Sequence, residues 1–120
     1  MTRIPNEDRD IIEKAMYLPM VLTILERDRL IFEKAPFKLK PPYLNLVEKT
    51  IKAVQKDFKE VKLEMRKGNM KVEQVSHDQE FTQFMFYYKG YNEQHNYFNP
   101  RLRNKAQELL EHYLYKRFNS

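Results

Sequence analysis

From Leu44 onward the apolar residues fall at Leu44, Val47, Ile51, Val54, Phe58, Val61 and Met65, with spacings that alternate strictly between three and four. An unbroken a/d seam of this kind keeps one apolar stripe on one side of an α-helix, and a strand cannot satisfy it. Pro41 and Pro42 suit the first turn of such a helix, and Gly68 followed by Asn69 suits its end. The spacing therefore predicts a long helix over 42–67, and the remaining segments must build a core against it.

A second segment shows the same periodicity. Phe81, Phe84, Tyr88, Tyr91, His95 and Phe98 are again three and four apart, and Ser76 with Gln79 matches a capping box. This predicts a helix over 77–97, with Gly90 tolerated inside it at about 1 kcal/mol against alanine. Asn99 and Pro100 then suit the start of a last helix over 100–117, whose seam is Leu102, Ala106, Leu109 and Tyr113. Toward the N-terminus, a short helix is expected near Asn6, a break or kink at Pro19, and a helix over 19–34. "APFKLKPP" reads as an extended loop, because residues before proline avoid the α region, and "GNMKVEQVS" reads as a connector. The expected fold is all-α: one domain over 1–120, an antiparallel bundle of four main helices plus a short N-terminal helix. Its expected core includes Val47, Ile51, Val54, Phe58, Phe84, Tyr88 and Leu109.

Composition narrows the chemistry. A chain of 120 residues is large enough for one buried core and small for two. The absence of cysteine removes thiolate nucleophiles, disulfides and cysteine-ligated zinc, and fits a reducing compartment. The sequence "MTRIPNEDRD" carries acids where a signal peptide needs a basic region and then an apolar run. The apolar stretch 15–25 is shorter than the roughly 20 residues that span a bilayer. A cytoplasmic protein without membrane attachment is expected.

No catalytic pattern emerges. There is no Gly-x-Ser-x-Gly, phosphate loop, paired-carboxylate signature or nucleophile beside a base. A carboxylate-bridged di-iron bundle needs Glu-x-x-His pairs, yet the residues three before His77, His95 and His112 are Gln74, Asn92 and Leu109. Glu108 and His112 share a helical face, but a single carboxylate and imidazole do not form a cluster. His95 is expected as a hydrogen-bonded interior histidine. No catalytic residue, metal, cofactor or small-molecule substrate is inferred.

Two surfaces remain for binding. The chain carries aromatic side chains beyond one seam per helix, and Phe86, Tyr87, Tyr97 and Tyr115 form the expected partner surface. An isologous homodimer is the commonest assembly that such a surface makes. Residues 38–67 hold nine Lys/Arg against four acids, which accounts for the whole net charge of +5. Within that segment Lys49, Lys52, Lys56, Lys59 and Arg66 lie on the outer face of the helix, where they form a solvated row or track a phosphate backbone. The first expectation is a non-catalytic, self-associating protein-interaction module. The alternative is nucleic-acid binding through the basic face.

Three stretches, "AMYLPMVLTILERD", "APFKLKPPY" and "YKGYNEQHNYFNPRLRNK", together resemble short uncharacterised proteins of Bacillus and related Gram-positive bacteria. The resemblance runs over most of the chain. It implies a bacterial cytoplasmic setting with a phage or prophage origin as one option, and it brings no activity, cofactor or catalytic residue with it.

Overall fold

The computed structural model describes residues 4–119, so the first three residues of the N-terminal stretch read above lie outside it. Helix α1 (Asn6–Lys34) and helix α2 (Lys40–Lys67) form an antiparallel hairpin. Strands β1 (Met70–His77), β2 (Phe81–Tyr88) and β3 (Tyr91–Phe98) form an antiparallel sheet in the order β1-β2-β3. Helix α3 (Asn99–Leu114) and a 3-10 turn over Lys116–Asn119 complete the chain. The fold is thus α+β, which corrects the all-α bundle expected from the seams.

The predicted 42–67 helix is α2, with both prolines in its first turn. Val47, Val54, Val61 and Met65 are buried, whereas Ile51 and Phe58 pack against the core from its margin. Thr50, off the seam, is fully buried because its hydroxyl donates to the Leu46 carbonyl at 2.7 Å. Removing its polar group from water therefore costs little. The helix ends as expected: the Gly68 amide donates to the Glu64 carbonyl, and Asn69 turns the chain with φ 54°.

The segment 77–97 is the main correction. Residues 82, 84, 86 and 88 are buried while their odd-numbered neighbours are not, a period of two that places one row of side chains on each face of a strand. Both periods were present in the sequence. The strand won because the segment is dense in aromatic residues, which fit a pleated surface, and because Lys89-Gly90 makes a two-residue hairpin turn. Their φ angles of 46° and 89° are both positive, as the twist of a hairpin requires and a helix forbids. Ser76 does not cap a helix; it lies in β1 and its hydroxyl donates to Gln83 Oε1 at 2.8 Å. Asp78 organises the β1–β2 turn instead, its carboxylate accepting from the amides of Glu80 and Phe81 at 2.8 Å each. The register pairs Met70 with Tyr88, Val72 with Phe86 and Gln74 with Phe84, and then Phe84 with His95 and Thr82 with Tyr97.

A second correction concerns Pro19, which breaks nothing: α1 runs through it from Asn6 to Lys34. The Thr23 hydroxyl donates to the Pro19 carbonyl at 3.0 Å, and Met16, Tyr17, Leu18 and Val21 are buried around the proline. Packing on several sides holds this part of α1 helical despite the lost amide donor. The last helix begins one residue early, at Asn99, and ends at Leu114.

The sheet lays Met70, Val72, Phe84 and Phe86 against the hairpin. Three tyrosines then tie separate elements to hairpin carboxylates: Tyr88 donates to Asp8 at 2.6 Å, Tyr97 to Glu13 at 3.2 Å and Tyr113 to Asp57 at 2.6 Å. Two of the bonds anchor the sheet to α1 and the third anchors α3 to α2.

Candidate functional site

Helices of this length extend about 42 Å at 1.5 Å per residue, but the sheet and α3 cover only part of the hairpin. Against the sheet, α1 presents Ala15, Met16, Pro19, Met20 and Thr23 to Val72, Gln74 and Phe84. Beyond Thr23, α1 runs on beside α2. Arg29 joins the two helices there, reaching Glu48 at 3.1 Å and Glu33 at 3.4 Å. Lys40 donates to the Glu33 carbonyl at 2.6 Å, and Phe32, Phe37 and Tyr43 stack across the connection. The tip is therefore built, and it is also apolar. Leu30 and Ile31 are 55 % and 56 % exposed, and Ile24, Leu39, Tyr43 and Leu46 are exposed beside them. These six are half of the large exposed apolar side chains among the described residues, concentrated where the hairpin lacks a covering layer. Two packed helices bury only their shared seam and leave their other faces in need of a second layer.

The four aromatic residues expected to form a partner surface do not come together. Phe86 is fully buried and stacks on His95 with ring centres 4.2 Å apart. Tyr97 is half-buried on the same inner face, its ring 6.5 Å from that of Phe86. Tyr87 lies on the opposite, outer face of the sheet. Its hydroxyl donates to Glu73 at 2.7 Å and Lys71 sits 5.5 Å over its ring. That bond raises the Tyr87 pKa above its ordinary value and, with Lys71, lowers that of Glu73. Tyr115 is exposed past the end of α3, with its hydroxyl on Glu111 at 2.8 Å. His95 is hydrogen-bonded as expected, with Nε2 3.1 Å from Glu93 Oε1, but it is half-buried and sits on a strand rather than a helical seam.

The basic row fares differently. Lys49, Lys52, Lys56, Lys59 and Arg66 are all exposed on one side of α2, and none of the five forms an ion pair among the described residues. The apolar tip lies outside the surfaces expected from the sequence, yet the sequence carries signals of it. "LIF" at 30–32 overfills a helical stripe, Leu39 sits in a connection, and Leu46 falls off the α2 seam. No helix among the described residues is long and apolar enough to cross a membrane, and none of their His, Asp and Glu side chains cluster as a metal site.

Residues 3–118 match the family model described as YhjD protein. The chain is 42% identical over 115 residues to the uncharacterized protein YhjD of Bacillus subtilis (strain 168), which covers 96% of each chain. This agrees with the resemblance to short Bacillus proteins, and neither match bears on a phage origin. No solved structure matches.

Proposed function

The chain belongs to the YhjD protein family, and we propose that it is a non-catalytic interaction module that pairs with a second copy of itself through the distal half of the α1–α2 hairpin. The exposed apolar row at the tip carries this reading: Leu30, Ile31, Leu39, Tyr43 and Leu46 stand exposed on the α1–α2 hairpin and its connection. Apposing two hairpins would supply a second layer and close a four-helix arrangement. The charges on α1 support a copy of the same chain as the occupant. Glu26, Arg27, Asp28, Arg29, Glu33 and Lys34 alternate in sign and cancel. A two-fold axis can set acids against bases across such a surface, whereas a strongly charged partner gains nothing from it.

Sedimentation or light scattering tests this directly. A species of twice the 14.7 kDa chain mass is expected at tens of micromolar, and Ile31→Glu with Leu30→Glu should return it to the monomer without loss of helical signal. A wild-type monomer across a wide concentration range would sink the proposal.

The unpaired cations on α2 favour a second reading, binding of a nucleic-acid backbone by Lys49, Lys52, Lys56, Lys59 and Arg66. It predicts steep salt dependence, each phosphate contact adding roughly 0.9 to the negative slope of log K against log salt on duplex DNA. Lys52→Gln with Lys56→Gln should weaken binding to all sequences alike and flatten that slope by roughly 2. A gel shift at two salt concentrations checks it. No retardation of DNA or RNA at about 150 mM salt would leave the row as a solvated face.

A further inference from the structure

The buried tyrosines of this protein obey a rule with one exception. Tyr88 and Tyr113 are buried and Tyr97 half-buried, and each donates its hydroxyl to a carboxylate. Tyr17 is only 5 % exposed, yet its hydroxyl has no hydrogen-bond partner among the described residues. The ring is buried but the hydroxyl is not sealed from solvent, so it stands as a free donor at the edge of the core.

Tyr17 lines a cleft of about 570 Å³ between the N-terminal half of α1, Tyr97 at the end of β3, and α3. That volume suits a small molecule. Lys14 from α1 and Arg101 from α3 both line it, and neither forms an ion pair among the described residues. Arg101 lies in the first turn of α3, which has no side-chain cap and no acid, so the positive end of the helix dipole adds to the two cations. Burial raises the Tyr17 pKa, assisted by Glu13 and opposed by Arg101, so the phenol stays protonated and available as a donor at neutral pH.

The carboxylates restrict the ligand. Asp10, Glu13 and Glu108 also line the cleft and balance the charges of Lys14, Arg101 and Lys105, so a polyanion would be repelled as much as attracted. Glu13 is engaged by Tyr97 and, at 4.0 Å, by Arg9, and Glu108 by Lys105 at 3.7 Å. Asp10 alone of the three is unengaged among the described residues.

We propose that this cleft binds a small zwitterion, its anionic head held by Arg101, Lys14 and the Tyr17 hydroxyl and its ammonium by Asp10. The site is independent of the hairpin tip and goes beyond self-association. The anionic head is a carboxylate or a phosphate, and the two are separated by the probes. Full-length protein is titrated with glycine, phosphoethanolamine, acetate and inorganic phosphate, with backbone amide NMR shifts as the readout.

Saturable shifts at Lys14, Tyr17, Arg101 and Asn104 are expected with one of the zwitterions, and binding at least fivefold weaker with the matching plain anion. Tyr17→Phe and Arg101→Gln should each weaken the zwitterion about tenfold, as loss of a hydrogen bond to a charged group does. Asp10→Asn should remove the preference for the zwitterion. Tyr17→Phe should leave the melting temperature unchanged or slightly higher, because no internal bond is lost. The proposal is overturned by absence of saturable shifts, by plain anions binding as well as zwitterions, by affinity that ignores Tyr17→Phe, or by a fall of several degrees in that variant's melting temperature, which would place the hydroxyl in a structural bond.

Discussion

At Tyr113 a single hydroxyl links two helices, and its environment makes the link sensitive to pH. Burial, then the hydrogen bond and charge of Asp57, raise the Tyr113 pKa, and burial with Glu13 does the same for Tyr97. Their folded-state values lie above the unfolded value of about 10, so the folded chain holds these protons more tightly. Their contribution is complete below pH 10 and is lost as pH rises beyond it. Urea unfolding between pH 8 and 11 should therefore show stability falling above about pH 10, and Tyr113→Phe should make that fall shallower. The same variant should lose about 1–3 kcal/mol at pH 7, because Asp57 is left part-buried without its donor. Phe86 presents the simpler case of a fully buried ring stacked on His95. Phe86→Ala should cost about 3–5 kcal/mol in denaturant titration, the usual range for emptying such a site.

Among the elements, the β2–β3 hairpin depends most on a single backbone position. Gly90 has φ 89° and open space where a side chain would go. A substitution there meets no neighbour, and its cost is conformational alone. Gly90→Ala should destabilise by about 1–2 kcal/mol, the penalty for an L-residue in left-handed backbone. A loss below about 0.3 kcal/mol would mean that the turn relaxes to another type. This glycine is legible in the sequence, but the period of 3.5 that Phe81, Phe84, Tyr88 and Tyr91 also fit predicts a helix interior around it. The structure puts Phe81 and Phe98 on the outer face of the sheet with rings 5.6 Å apart, while Phe84 and Tyr88 face the core. Six positions agreed with the wrong period, but the two-residue turn, with a glycine as its second residue, decided for the right one.

On the scale of the whole molecule, the long dimension of 54 Å against 33 and 21 Å reflects a hairpin longer than what covers it. If two hairpin tips pair, folding and association are linked, and the melting temperature depends on protein concentration. Calorimetry at 5 and 200 µM should show a higher midpoint at the higher concentration for wild type and no difference for Ile31→Glu. Identical midpoints in wild type would indicate a tip that stays exposed. The partner surface expected from Phe86, Tyr87, Tyr97 and Tyr115 is dispersed in three dimensions, because pleating sends Phe86 and Tyr97 to one side of the sheet and Tyr87 to the other.

Local sequence determined α2 almost to the residue, since a strict alternation of threes and fours, two prolines and Gly-Asn are each satisfied within one helix. It also determined the last helix and the exposed basic row, because both follow from spacing along a single element. Tertiary structure decided the rest. The 70–98 segment became a sheet because three strands share their backbone hydrogen bonds, a gain that no window of one segment contains. Pro19 stayed helical because the residues around it are packed on several sides. The unpartnered Tyr17 and the bare hairpin tip exist only as differences between what each side chain needs and what the assembled fold supplies, so both had to await the assembled fold.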